Sequence, residues 1–143
     1  MSDLNPDAPE KTILVVDDVE YTRQLLRNAV LAAINSEPEK FKIHRYKFVN
    51  AGNSIDAMAK IEQHKPDLIF LDIELPGGVN GIEILKRIKK QDPTSFVIMV
   101  SGESTIENVQ NSLKSGASGF IVKPFSAIKV SEAMRNFEKK VVK

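Results

Sequence analysis

Asp17 and Asp18 follow the apolar run ILVV, Asp72 follows LIFL, Ser101 follows FVIMV and Lys123 follows FIV. Three carboxylates, a hydroxyl and an ammonium are a set that phosphoryl chemistry can use once it is gathered in one place. Carboxylates held together repel and raise one another's pKa unless a cation sits among them, so the set implies a hard divalent ion. With oxygen ligands alone, no cysteine in the chain and no histidine nearby in sequence, Mg²⁺ suits it better than zinc and would keep coordination positions open for phosphate oxygens. Asp72 is the candidate nucleophile, forming an aspartyl phosphate. The metal and Lys123 would neutralise the transferred group's oxygens, and Ser101 would hydrogen-bond one of them. Taken singly, each residue has a plainer reading: an Asp or Ser after a strand is usually a cap or turn residue, and a lysine is usually solvated. Placement at one edge of one sheet is what turns them into a site.

That placement follows from the elements around them. Residues 13–16, 68–71, 96–100 and 120–122 are continuous apolar runs of strand length, the pattern of parallel strands covered on both faces. A second strand within residues 43–49 is interrupted by His44, Arg45 and Lys47, which places it at the sheet edge. Between the runs the period changes to that of helices. Residues 20–33 put Leu25, Leu26, Ala29, Val30 and Ala33 on one face, and residues 82–89 do the same with Leu85 and Ile88. Residues 105–114 carry Ile106, Val109 and Leu113 before Gly116, and Ser126 can cap a last helix bearing Val130, Met134 and Phe137. Strand and helix alternate five times, which with right-handed crossovers gives a doubly wound, flavodoxin-like (βα)5 parallel sheet of strand order 2-1-3-4-5. Ligands of such sheets bind beyond the carboxyl ends of the strands, where the winding reverses between strands one and three. The five residues stand there.

Bulk properties narrow the function classes. A chain of 143 residues fits one domain, here residues 12–143 after a polar, proline-containing lead over residues 1–11 that is expected to be disordered. The absence of cysteine removes disulfides, thiolate metal sites and thiol nucleophiles, and suggests a reducing compartment. No apolar run approaches the roughly 18 residues of a membrane span, and the N-terminus lacks a signal-type apolar region, so a cytoplasmic location is expected. With 20 Lys+Arg against 19 Asp+Glu, no global field favours nucleic acid or anionic lipid. The basic run at residues 86–90 is interrupted by Ile88 on the buried face and reads as a solvated helix face. His44 and His64 show no metal spacing and read as surface residues. Residues 35–42 form a longer, charged loop.

As a set these residues resemble the receiver domains of two-component response regulators, from about Ile13 to the C-terminus. ILVVDD looks like the first strand and acidic pair, LIFLDIELP contains the phosphoacceptor motif, and GASGFIVKPF is similar to the last strand with its Lys-Pro. The resemblance implies that Asp17 and Asp18 help hold Mg²⁺ with Asp72, that Glu74 offers its backbone carbonyl to the metal, and that Asp72 is phosphorylated. It implies phosphoryl contacts from Ser101 and Lys123, an aromatic switch at Phe120, and a cis bond between Lys123 and Pro124. Glu74 and Glu103 occupy positions that tune loss of the phosphoryl group in this family. The likeness is greatest to chemotaxis-type, stand-alone receivers. Transcription-type dimerisation is not expected, because Ser118 and Gly119 stand where such receivers often carry acidic residues.

The expected function is then to accept a phosphoryl group from a histidine kinase or phosphotransfer protein. The signal would pass through a surface made by the fourth helix, fifth strand and fifth helix to a target protein in trans, the receiver being a monomer or weak homodimer. Two rivals differ in testable features. A haloacid dehalogenase-like phosphatase would need a second Asp two residues after a nucleophile near the first strand, whereas Glu74 follows here and Asp72 belongs to strand three. A pseudo-receiver scaffold would bind partners without phosphorylation. The loop at residues 76–81, PGGVNG, is one residue longer than the usual form of the family, and its glycines, which do not fit GxGxxG, read as turn residues.

Overall fold

The computed structural model describes residues 8–37, 44–103 and 105–142. Strands β1 (Glu10–Val16), β2 (Arg45–Ala51), β3 (Leu68–Asp72), β4 (Phe96–Ser101) and β5 (Gly119–Val122) alternate with helices α1 (Glu20–Ser36), α2 (Ser54–His64), α3 (Gly81–Gln91), α4 (Ile106–Lys114) and α5 (Ala127–Val142). Every strand pair is parallel and the order is β2-β1-β3-β4-β5, the flavodoxin-like arrangement expected from the sequence.

The two-residue repeat of extended chain splits the apolar runs between two cores. Ile13, Val15, Leu68, Phe70, Ile98 and Val100 face α1 and α5, where Leu26, Val30, Met134 and Phe137 meet them. Their sequence neighbours Leu14, Val16, Ile69, Leu71, Val97 and Met99 face the other way, against Ala57 of α2 and Ile84, Leu85 and Ile88 of α3. Full burial of such side chains stabilises by about 1.5–3 kcal/mol each, so the register of β1, β3 and β4 is fixed from both sides. Side-chain caps set where the helices start. Asn53, Asn80 and Thr105 accept from the backbone N–H groups of Asp56, Glu83 and Asn108, and Ser126 accepts from that of Lys129. Gly116 ends α4 with φ of 103°, a left-handed position that favours glycine.

Several expectations need correction. β1 begins at Glu10, not Thr12, because β2 supplies a partner that far out: Glu10 pairs with Arg45, and the Arg45 N–H donates to the Pro9 carbonyl at 3.0 Å. Ala8 is already buried, so residues 8–11 are not part of a disordered lead; residues 1–7 lie outside the described residues. The second strand is Arg45–Ala51, at the sheet edge as expected but later in the chain, and residues 38–43 lie outside the described residues.

His44 is not a surface residue. It is 6% exposed, with Nδ1 3.2 Å from Oε2 of Glu138 on α5. Tyr46 stands edge-on beside it, and burial, with the nearby Glu138 charge, pushes the Tyr46 phenol well above its ordinary pKa. His64, at the end of α2, is half-buried. On α1, Leu25 points outward while Leu26, Val30 and Ala33 are buried. On α4 the apolar stripe is likewise turned out: Ile106 is 77% and Leu113 52% exposed, while Ser112 is the buried residue.

Candidate functional site

The carboxyl ends of β1, β3, β4 and β5 bring the five chemical residues to one edge. Asp17 leaves β1 with its backbone N–H donating to the Ala51 carbonyl at the end of β2, and its Oδ1 accepts from the Val19 N–H at 2.8 Å. That turn aims Oδ2 across the edge. Asp72 is the last residue of β3, and its Oδ1 accepts from the Glu74 N–H at 3.2 Å. Ser101 ends β4, and its carbonyl accepts from the Lys123 N–H at 2.9 Å, tying the end of β5 to that of β4. The Lys123–Pro124 peptide is cis.

Lys123 joins the two buried acids. Its Nζ donates to Asp17 Oδ2 at 2.5 Å and to Asp72 Oδ2 at 3.0 Å. Burial pulls the Lys123 ammonium down, and its hydrogen bonds and charge contacts with Asp17 and Asp72 more than reverse this, leaving a net upward shift. For Asp72, burial raises the carboxyl most, Lys123 lowers it and Asp17 raises it again; the balance moves it from 3.8 to about 6. Asp18 is exposed, and one oxygen from each of Asp17, Asp18 and Asp72 lies within 4.8 Å of the others. An all-oxygen donor set of this span, partly neutralised by a single lysine, fits a hard divalent cation.

A pH dependence follows from the shifted carboxyl. Because the folded value lies above the ordinary 3.8, folding favours the protonated form, and stability falls as pH rises from about 4 to about 6. Asp72→Asn escapes that loss. A shift of about two units is worth at most about 3 kcal/mol, and solvent screening in an open cleft reduces this to about 1–2 kcal/mol. In chelator-treated protein, urea unfolding should show the variant more stable than wild type by that amount at pH 7.5 and no more stable at pH 4. A gain that persists at pH 4 would contradict the assignment.

Two positioning residues escaped the sequence reading. Arg23, one turn into α1, donates from Nη1 to the Asp17 carbonyl at 2.6 Å and so clamps the acidic turn. Gly81, the first residue of α3, lies so close to the end of β3 that a Cβ there would stand 2.0 Å from the Asp72 carbonyl oxygen. Its N–H donates to the Ile73 carbonyl at 2.8 Å. Arginine and glycine carry no local signal for such contacts. Gly77 and Gly78 of the same loop have φ of 111° and 92°, in keeping with turn positions.

Residues 13–135 match the family model of the response regulator receiver domain. The chain belongs to that family. Among similar relatives, the chemotaxis protein CheY of Listeria monocytogenes is 35% identical over 127 residues, covering 89% of this chain and 98% of that protein. Sporulation initiation phosphotransferase F of Bacillus subtilis is 32% identical over 125 residues, covering 87% and 91%. A CheY-like receiver structure from Methanospirillum hungatei superposes with a TM-score of 0.72 at 28% identity, covering 92% of this chain and 97% of that one. The receiver identity places the protein in two-component signal transduction, and among the described residues no helix is long and apolar enough to cross a membrane.

In this receiver the expected site residues are distributed as follows. Asp17, Asp72 and Lys123 are in direct contact, and Asp18 stands within the span of their carboxylates. Ser101 is fully buried and hydrogen-bonded to Glu74 rather than to the acids. Phe120, on β5, is half-buried and packs against the core on the α2 and α3 side of the sheet.

Proposed function

We propose that this receiver accepts a phosphoryl group on Asp72 and signals through the face made by α4, β5 and α5. The observation that carries the reading is the Lys123 ammonium bridging the buried carboxylates of Asp17 and Asp72, with Asp18 beside them. The donor is a phosphohistidine on a kinase or phosphotransfer protein. A carboxylate oxygen of Asp72 attacks phosphorus, the P–N bond breaks, and its electron pair returns to the donor imidazole. Asp17, Asp18, Asp72 and the Glu74 carbonyl would hold Mg²⁺, which when bound supplies charge neutralisation at the transferring oxygens. Lys123 already lies against Asp72 and presents its ammonium to one phosphoryl oxygen. Ser101 donates its hydroxyl to another.

The output follows from what α4 leaves uncovered. Ile106 and Leu113 of α4 and Val122 of β5 are large apolar side chains left exposed, and Phe120, two residues before Val122 on β5, is half-buried. Movement of Ser101 toward a phosphoryl group makes room for Phe120 to turn inward and repacks α4 against β5. A preference of about 2.7 kcal/mol for the repacked form changes the ratio of the two forms a hundredfold. The target is a protein engaged by that apolar face.

Hydrogen exchange with and without phosphorylation tests the switch. With Mg²⁺ and a small acyl phosphate, amides of residues 105–122 should change their exchange while those of α2 do not. Stoichiometric phosphorylation with unchanged exchange in α4 and β5 would contradict the proposed surface and favour a scaffold whose partner binding ignores phosphate.

A further inference from the structure

Ser101 does not wait with a free hydroxyl. Its Oγ donates to the Glu74 carboxylate, 2.9 Å from Oε1 and 3.2 Å from Oε2, and accepts from the Glu103 N–H at 3.0 Å. The side chain is wholly buried, so water offers it no alternative partner. A serine hydroxyl has one proton to give, and here that proton is committed to an anion, the stronger class of hydrogen bond. Glu74 also touches the acceptor itself, since its N–H donates to Asp72 Oδ1. One residue therefore bridges the proposed acceptor and the proposed switch hydroxyl, by its main chain on one side and its carboxylate on the other.

From this geometry we infer that Glu74 is a latch: a positioning residue that holds Ser101 in the unphosphorylated arrangement and must let go before the phosphoryl group can be bound in full. The inference rests on the acceptor reading of Asp72. A phosphoryl group on Asp72 and the Glu74 carboxylate compete for the same proton, and the two anions repel at close range. Both effects drive Glu74 off Ser101. An open cleft of about 540 Å³ between the β3–α3 and β4–α4 connections, bordered by Glu74, Pro76, Asn80, Glu103 and Asn108, gives the released side chain room to swing. Binding of the phosphoryl group, freeing of the serine hydroxyl and reorientation of an exposed carboxylate thus become one event. The latch raises the threshold for switching, so Glu74 sets how strong a donor is required.

Beryllofluoride with Mg²⁺, a stable stand-in for the phosphoryl group, reads the latch directly by titration calorimetry. Glu74 is exposed, so Glu74→Ala should fold as wild type does. It should bind beryllofluoride about tenfold more tightly, the effect of releasing one charge-assisted hydrogen bond. Binding of Mg²⁺ alone should not tighten. In a Ser101→Ala background the same substitution should change beryllofluoride affinity less than twofold, because the latch has nothing left to hold. Unchanged affinity in Glu74→Ala, or equal tightening with and without the serine, would overturn the latch; the second outcome would mean simple relief of negative charge. Failure of the wild type to bind beryllofluoride in Mg²⁺ would instead remove the acceptor reading, and the latch with it.

Discussion

Gly81→Ala should unfold at a midpoint about 10 °C below wild type, a loss of about 2–3 kcal/mol for a chain of this size. The reason is contact, not backbone freedom. The added Cβ would stand 2.0 Å from the Asp72 carbonyl oxygen and 2.8 Å from both the carbonyl carbon and Ile73 Cα, all main-chain atoms with no rotamer to adjust. Either α3 moves away from β3 or the end of β3 bends. Moving α3 loosens Ile84, Leu85 and Ile88 from the core, and bending β3 displaces Asp72, the proposed acceptor, and the Glu74 N–H that holds it. Phosphorylation should therefore be slowed even under conditions where the variant is folded. Gly102→Ala serves as the control, since a Cβ there meets nothing within 4 Å, and it should melt within about 2 °C of wild type. Equal midpoints for the two variants, measured by circular dichroism, would contradict the tight approach of α3 to β3.

Gly81 also shows where sequence reasoning stops. The parallel sheet was legible because continuous runs such as LIFL and FVIMV are buried on both faces, which leaves no polar alternation to misread. The acidic edge was legible for a related reason: Asp17, Asp72, Ser101 and Lys123 each terminate or directly follow a strand, and topology brings strand ends together without any detail of packing. What depends on detail stayed hidden. The approach of Gly81 to Asp72 joins a helix start to a strand end across a loop. The pairing of His44 with Glu138 joins residues 94 positions apart, one just before the edge strand and the other on the last helix, and neither residue type announces it. The outward turn of Ile106 and Leu113 defeats the amphipathic rule itself, because their helical spacing is that of a core face. If that face serves a partner, as proposed, its apolar residues obey the partner's packing as well as the domain's own.

The second large effect concerns the proposed acceptor. Asp72→Asn replaces the carboxylate with an amide of nearly the same shape, whose single oxygen can keep the bond from Lys123 or the one from the Glu74 N–H but not both. The amide cannot form the acyl phosphate. The loss should be complete, in contrast to the graded effects of removing a residue that only stabilises transferred charge. Asp17 and Asp18 remain in the variant, but Asp17 is committed to Lys123 and the Val19 N–H, and Asp18 stands exposed at the rim, so neither is placed to substitute.

Intact mass after incubation with Mg²⁺ and a small acyl phosphate is the direct test. Wild type should gain a single phosphoryl mass that is lost when Mg²⁺ is chelated beforehand, and Asp72→Asn should gain none. Full-rate phosphorylation of Asp72→Asn, or no mass gain by wild type that demonstrably binds Mg²⁺, would contradict Asp72 as the phosphoacceptor.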